Sequence, residues 1–213
     1  MREYLPSRRR SSVGLGALLL AGAVLAGCGP QLPPVKEGDI IFQTSRSNQS
    51  VAIQKATHSP YSHMGLVLSR DGKPYVLEAS ATVRYTPLED WIKRGIGGHY
   101  VVKRVRYPDK VLSQKVLARL HEEAGRLEGR EYDYAFEWSD DRIYCSELVW
   151  KLYQRITGLE LGKPQALRDF DLTDPAVVRK LHERFGDKVP LDEPVISPAT
   201  IFESTQVVTA LEN

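Results

Sequence analysis

Short apolar runs bounded by turn residues recur in the first half of the chain and predict β-strands. The predicted strands cover residues 40–42, 61–68, 74–80, 99–107 and 206–208. Asp71-Gly72 lies between the second strand and the third and is typical of a tight hairpin turn. These two strands are therefore expected to pair antiparallel, with Arg70 opposite Lys73.

Longer segments with apolar residues every three or four positions predict helices. They cover residues 49–56, 87–93, 113–127 and 145–157, and two further helices begin near residues 175 and 198. Thr86 is the predicted N-cap of the second helix, and Gly158 is the predicted stop of the fourth. Because the strands cluster and the helices flank them, the fold class is predicted to be α+β with an antiparallel sheet.

The first 27 residues are typical of a bacterial signal peptide. A basic start is followed by a small, apolar run over residues 13–27, which is short for a transmembrane helix. Leu25-Ala26-Gly27-Cys28 resembles the lipobox of bacterial lipoproteins, in which the cysteine carries the lipid. The alternative is an ordinary signal peptide that contains a cysteine.

Three segments follow from this interpretation. Residues 1–27 are the signal peptide, residues 28–36 a lipid-anchored tether, and residues 37–213 a single domain. Gly29 after the cysteine resembles lipoproteins that are sorted to an outer membrane. The predicted location is the bacterial cell envelope, anchored to a membrane through Cys28 and facing the periplasm where an outer membrane exists.

Composition narrows the possible chemistry. The chain has only 2 cysteines, which argues against a disulfide scaffold and a cysteine-rich zinc module. A lipidated Cys28 would leave Cys145 as the free thiol. The signal segment holds four arginines and one glutamate, so the remainder has 25 basic and 26 acidic residues. No nucleic-acid partner is expected from this balance.

Cys145 is placed at the N-terminus of the fourth predicted helix. Unpaired backbone N–H groups and the positive end of the helix dipole favour a thiolate at that position. The pattern therefore predicts a nucleophilic cysteine. The alternative is a small buried cysteine that packs as an apolar residue.

The hairpin register brings a histidine and a glutamate together. If Arg70 pairs with Lys73, then His63 and Glu78 lie diagonal to each other on one face of the sheet. A carboxylate on one ring nitrogen fixes the tautomer of a general base. The alternatives are a strand-end histidine, a structural pair between Glu78 and Arg84, and a zinc site formed by cysteine, histidine and glutamate.

Four short motifs in a fixed order resemble a known family. They are Gly38-Asp39-Ile40-Ile41-Phe42, Ser62-His63-Met64-Gly65, Leu77-Glu78-Ala79 and Tyr144-Cys145-Ser146-Glu147-Leu148-Val149. Together they resemble the permuted papain-like amidases of the YiiX/YaeF type, a branch of the NlpC superfamily. The resemblance implies a circularly permuted papain-like core, in which the cysteine-bearing helix packs against an antiparallel sheet.

The resemblance also implies roles for individual residues. Cys145 is the implied nucleophile, His63 the general base and acid, and Glu78 the residue that orients His63. The backbone N–H of Cys145 is the simplest first donor of an oxyanion hole. Tyr61 and Tyr144 either line the substrate cleft or pack in the core.

The predicted function is a cell-envelope cysteine amidase or peptidase that acts on cell-wall peptides. One alternative is a lipid acyl hydrolase or acyltransferase that uses the same three residues. Another is a non-catalytic lipoprotein that binds envelope ligands. The sequence contains no cofactor motif and no tight group of metal ligands, so neither a cofactor nor a metal is expected.

Overall fold

Six strands form one antiparallel sheet in the computed structural model, which describes Met1 and residues 34–213. These strands are β1 (Ile40–Gln43), β2 (His63–Arg70), β3 (Lys73–Ala79), β4 (Val83–Pro87), β5 (Val101–Val105) and β8 (Val207–Glu212). Their order across the sheet is β4-β3-β2-β1-β5-β8. A separate two-stranded sheet pairs β6 (Gln165–Ala166) with β7 (Pro194–Val195).

Helices cover both faces of the large sheet. They are α1 (Ser50–Thr57), α2 (Leu88–Arg94), α3 (Pro108–Val111), α4 (Gln114–Leu127), α5 (Cys145–Thr157), α6 (Pro175–Phe185) and α7 (Pro198–Phe202). Short 3-10 turns occupy Ile96–Gly98 and Leu167–Asp169. Gly158 ends α5 in the left-handed conformation, with φ 75°, as the sequence predicted.

The two faces of the sheet bury separate apolar clusters. Leu66 and Leu77 point towards α5 and pack with Leu148 and Leu152. On the opposite face, residues such as Val76 pack against Trp91 of α2. The alternation of side chains along each strand thus places α5 on one side of the sheet and α2 on the other.

Helix α5 is buried far more completely than an amphipathic helix needs to be. The sequence predicted one apolar face, but every residue from Cys145 to Tyr153 is buried. The two charged residues in this stretch, Glu147 and Lys151, form an ion pair of 2.6 Å four residues apart. This pairing allows the polar side of the helix to leave solvent, because a buried charge needs a partner.

The predicted α+β class with an antiparallel sheet is confirmed, and Arg70 pairs with Lys73. One strand of the large sheet was missed, as was the small sheet of β6 and β7: β4 pairs with β3, with Arg84 opposite Glu78. The cap prediction was wrong, because Pro87 occupies the N-cap position of α2 and Thr86 lies in β4.

The predictions for the signal peptide, for Cys28 and for most of the tether fall outside the described residues. Residues 34–213 belong to one compact unit that extends over Leu32–Asn213. Within the described part of the chain, no helix has the length and the apolar character needed to cross a membrane.

Candidate active site

Cys145 is the first residue of α5 and is nearly inaccessible, with 3% of its surface exposed. Tyr144 immediately before it has an extended backbone, and its N–H donates to Glu147 Oε2 at 3.2 Å. Ser146 Oγ donates to the carbonyl oxygen of Ile196 at 2.8 Å. The thiol is therefore held at the start of the helix, where backbone N–H groups have no intrahelical acceptor.

His63 and Glu78 are in direct contact, at the two strand positions that the register predicts. His63 Nε2 lies 2.7 Å from Glu78 Oε2. Only glycine fits at position 65 between them, because a Cβ atom there would lie 2.4 Å from Val76 Cγ1 and 2.7 Å from the Leu77 carbonyl oxygen. The close approach of the two strands lets the imidazole reach across to the carboxylate.

The Cys145 side chain lies close enough to His63 to raise the pKa of the imidazole. With Nε2 bound to Glu78, the ring nitrogen left for the thiol is Nδ1. The ring stacks on Trp91, with centroids 5.9 Å apart and an interplanar angle of 25°. Burial lowers the pKa of His63, but the interactions with Cys145 and Glu78 outweigh it and raise the pKa to about 9.

Glu78 is fully buried and is bound on both oxygens. Burial raises its pKa, but His63, Thr86 and Arg94 together lower it to about 2. Thr86 Oγ1 donates to Oε1 at 2.6 Å, Arg94 donates to the same oxygen, and Arg84 Nε lies 3.4 Å away. Glu78 thus has both of the predicted contacts, because one carboxylate oxygen contacts His63 and the other contacts the arginines.

Thr86 and Arg94 are part of the site that the sequence did not identify. Both approach Glu78 only because β4 returns alongside β3 and leads into α2. The signal was present in residues 83–86, where apolar and polar residues alternate, but a short edge strand gives a weak pattern.

Two cavities meet beside these residues. An apolar pocket of about 90 Å³ includes Cys145 in its lining, together with residues of α1, α6 and the loop before α7. A wider and more polar cleft of about 580 Å³ includes His63 and Arg94. Gln49, Tyr132, Lys180 and Arg184 line both. Cys145 and His63 therefore lie where an apolar space adjoins a polar one.

Comparison with known proteins assigns this arrangement to a family. Residues 34–210 match the family model of the permuted papain-like amidase enzymes, YaeF/YiiX, C92 family. The chain belongs to this family. It is therefore a cysteine hydrolase of the amidase and peptidase type, and the predicted fold and family are confirmed.

Two comparisons with Escherichia coli proteins agree with the assignment. The uncharacterized protein YiiX of strain K12 is 52% identical over 172 residues, which are 81% of this chain and 84% of that protein. The crystal structure of the metalloprotein yiiX from strain O157:H7 superposes with a TM-score of 0.80 at 50% identity. The match covers 84% of this chain and 97% of that one.

The two tyrosines predicted near the cleft of this papain-like amidase differ in position. Tyr144 lines the apolar pocket beside Cys145, and its hydroxyl accepts a hydrogen bond from the Ile196 N–H at 3.1 Å. Tyr61 lines neither of the two cavities. It stacks on Phe202 at 4.3 Å between centroids, so its contribution is to core packing.

A third tyrosine, which the sequence did not single out, lines both cavities at the site. Burial is the largest cause of the raised pKa of Tyr132, and the charge of Cys145 adds to it. Its hydroxyl accepts a hydrogen bond from Gln49 Nε2 at 2.8 Å. Tyr132 lies in the aromatic loop before α5. The sequence of this loop does not distinguish a tyrosine that packs from one that lines the site.

Among the described residues, no group of three or more histidine, cysteine, aspartate or glutamate side chains is placed to hold a metal ion. The residues of the site also fit a metal poorly. Both oxygens of Glu78 are already engaged, one by His63 and one by Thr86 and Arg94. A cation would have to compete with His63 for one oxygen or with Thr86 and Arg94 for the other.

Proposed function

We propose that this amidase cleaves an amide bond through an acyl-enzyme on Cys145. His63 takes the proton of the thiol, and the thiolate attacks the carbonyl carbon to form a C–S bond. His63 then gives the proton to the leaving nitrogen as the C–N bond breaks. Water attacks the thioester with His63 as general base, which releases the carboxylic acid and restores the thiol.

The single observation that carries this proposal is that His63 contacts Glu78 and interacts with the Cys145 side chain. Glu78 holds Nε2 of the imidazole at 2.7 Å and leaves the other ring nitrogen for the thiol. A buried, ionised carboxylate stabilises the imidazolium that forms when the thiol loses its proton. The backbone N–H of Cys145 is one donor for the oxyanion, because the first residue of a helix has no intrahelical acceptor.

The proposed substrates are cell-wall peptides, and the proposed location is the cell envelope with a lipid anchor at Cys28. Support comes from the signal-peptide pattern, from the lipobox-like Leu25-Ala26-Gly27-Cys28, and from the polar cleft beside His63. A cleft of about 580 Å³ with charged walls suits a peptide better than a purely apolar molecule.

The apolar pocket favours a second candidate, an acyl hydrolase or acyltransferase that acts on lipid-derived substrates. Its exposed lining beside Cys145 is formed mainly by carbon atoms of side chains such as Ile53, Phe136 and Leu181. An acyl chain in this pocket would place its carbonyl carbon near the thiol. Transfer in place of hydrolysis would need only an alcohol or an amine where water otherwise attacks.

The test uses the full chain with Cys28→Ser, so that Cys145 is the remaining thiol. The pH dependence of alkylation by iodoacetamide is measured with and without His63→Ala. We expect reaction well below the ordinary thiol pKa of about 8.5, and loss of that reactivity in the His63 variant. Two profiles that both titrate near 8.5 would refute the proposal and favour the non-catalytic binding lipoprotein.

A further inference from the structure

Helix α6 brings a cation to the junction of the two cavities. Arg184 stands near its end and lines both the apolar pocket of Cys145 and the polar cleft of His63. The helix belongs to the segment after Gly158, to which the sequence assigned no role. Packing of α6 against α1 places this arginine beside the nucleophile.

Arg184 is held in a defined position by neutral groups. Its Nη2 donates to Gln49 Oε1 at 2.5 Å, and the amide of Gln49 donates in turn to the Tyr132 hydroxyl at 2.8 Å. The guanidinium carbon lies 4.7 Å from the centre of the Phe136 ring. These contacts fix the direction of the side chain but leave its charge uncompensated.

Several other arginines of this fold form an ion pair with a carboxylate. Arg94 is bound to Glu78, and Arg104 forms an ion pair with Asp39 at 2.6 Å. Among the described residues, Arg184 forms no such pair. Its neighbour Glu183 contacts Lys180 instead.

The environment of Arg184 makes an uncompensated charge costly. Burial lowers the pKa of Arg184. Negative groups, Glu183 and Asp133 among them, oppose this shift, but none of them forms an ion pair with the guanidinium. A desolvated guanidinium is retained where a ligand completes its coordination, because the isolated charge is unfavourable. The open side of Arg184 faces the space that a substrate would fill.

We infer that Arg184 binds an anionic group of the substrate, a carboxylate or a phosphate, beside the Cys145 thiol. The inference deepens the proposed function and rests on Cys145 being the reacting residue. It assigns a specificity role to α6 and describes the substrate as a molecule with one negative group at the junction of the cavities. The planar guanidinium suits either oxyanion, since both accept two parallel hydrogen bonds.

The experiment compares two alkylating reagents that differ only in charge. Iodoacetate is anionic and iodoacetamide is neutral, and both alkylate the thiolate of Cys145. In the full chain with Cys28→Ser, we expect the ratio of the iodoacetate rate to the iodoacetamide rate to fall about fivefold to tenfold in Arg184→Met at low salt. The division by the iodoacetamide rate removes general changes in thiol access or thiol pKa.

Two control variants separate charge from structure. Arg184→Lys keeps the charge and should retain most of the ratio. Arg179→Met removes the same charge from an exposed position of the same helix and should leave the ratio unchanged. An equal ratio in wild type and Arg184→Met would overturn the inference, as would an equal fall in Arg179→Met.

A protection measurement identifies the anion. Acetyl-alanyl-alanine and glycerol phosphate are added to the iodoacetamide reaction, each beside its neutral partner, acetyl-alanyl-alaninamide or glycerol. Protection by one anion that disappears in Arg184→Met supports the inference and names the group. Slow, free-thiol alkylation of wild type by iodoacetamide would instead refute the nucleophile, which is a separate result.

Discussion

Glu78 shows how one residue serves both structure and chemistry. Its carboxylate lies near the end of β3, is completely buried, and receives His63 on one oxygen and Thr86 and Arg94 on the other. A buried charge is tolerable only with such partners. Those partners in turn keep the carboxylate ionised, so that His63 always faces a negative group.

The charge of Glu78 should set the alkaline limit of activity. In the proposed mechanism His63 is active as an imidazolium paired with the thiolate, so kcat/KM should fall as pH rises through its pKa of about 9. Glu78→Gln keeps the shape but removes one cause of the raised pKa. We expect the alkaline limit to move down by about one pH unit or more, in a pH–rate profile of hydrolysis.

A second histidine–glutamate pair provides the matched control. His121 Nε2 lies 2.8 Å from Glu37 Oε1, and neither residue lines the two cavities at the site. Glu37→Gln should leave the alkaline limit in place. A limit that does not move in Glu78→Gln would show that the carboxylate does not govern the imidazolium.

At the scale of elements, α5 depends on its internal ion pair. Lys151 contacts Glu147 at 2.6 Å and Asp140 at 2.9 Å, and it also donates to the Ser139 carbonyl oxygen. Burial raises the pKa of Glu147 to about 7 in spite of Lys151, which opposes the shift. The helix that carries Cys145 therefore buries the carboxyl group of Glu147, which loses its proton at a higher pH than an exposed glutamate does.

Lys151→Met should destabilise the protein by about 3 kcal/mol at pH 8, because it leaves Glu147 buried without its cation. The loss should be smaller at pH 5, where Glu147 is protonated and carries no charge. Urea unfolding at the two pH values measures both. Glu147→Gln in the Lys151→Met background should recover much of the loss, and an absence of recovery would contradict this account.

The elements differ in how far the sequence could predict them. The Asp71-Gly72 turn fixes the register of β2 and β3, so the contact between His63 and Glu78 was predictable from local rules. Both ends of helix α5 were predictable, from Cys145 and from Gly158. Strand β4 was missed because it has five residues and lies at an edge, where pairing is decided by tertiary contacts.

The whole molecule builds its substrate space from distant segments. The apolar pocket joins α1, the loop around Tyr132, the start of α5, and α6 with the residues before α7. No local pattern could predict this space, because its lining comes from segments that are far apart in the sequence. The same holds for Arg184, which reaches the junction only through the packing of α6 on α1.

Filling the apolar pocket should reveal what it binds. In wild type, kcat/KM for aryl esters should rise about fourfold per added methylene until the pocket is full, because each buried CH₂ contributes about 0.8 kcal/mol. Ala56→Leu should remove this dependence, since Ala56 lines the pocket. The control Val51→Leu changes an exposed position of the same helix. A flat wild-type series would count against the acyl candidate.

The connectivity of the sheet has a consequence for the newly made chain. Strands β1 to β4 are neighbours in space and derive from residues 40–87, whereas β8 reaches β5 across about a hundred intervening residues, as in the pairing of Val101 with Glu212. A ribosome therefore releases His63 and Glu78 well before Cys145, and local hairpins form faster than distant pairings. The proposed nucleophile therefore meets His63 only after the hairpin that carries this histidine has left the ribosome.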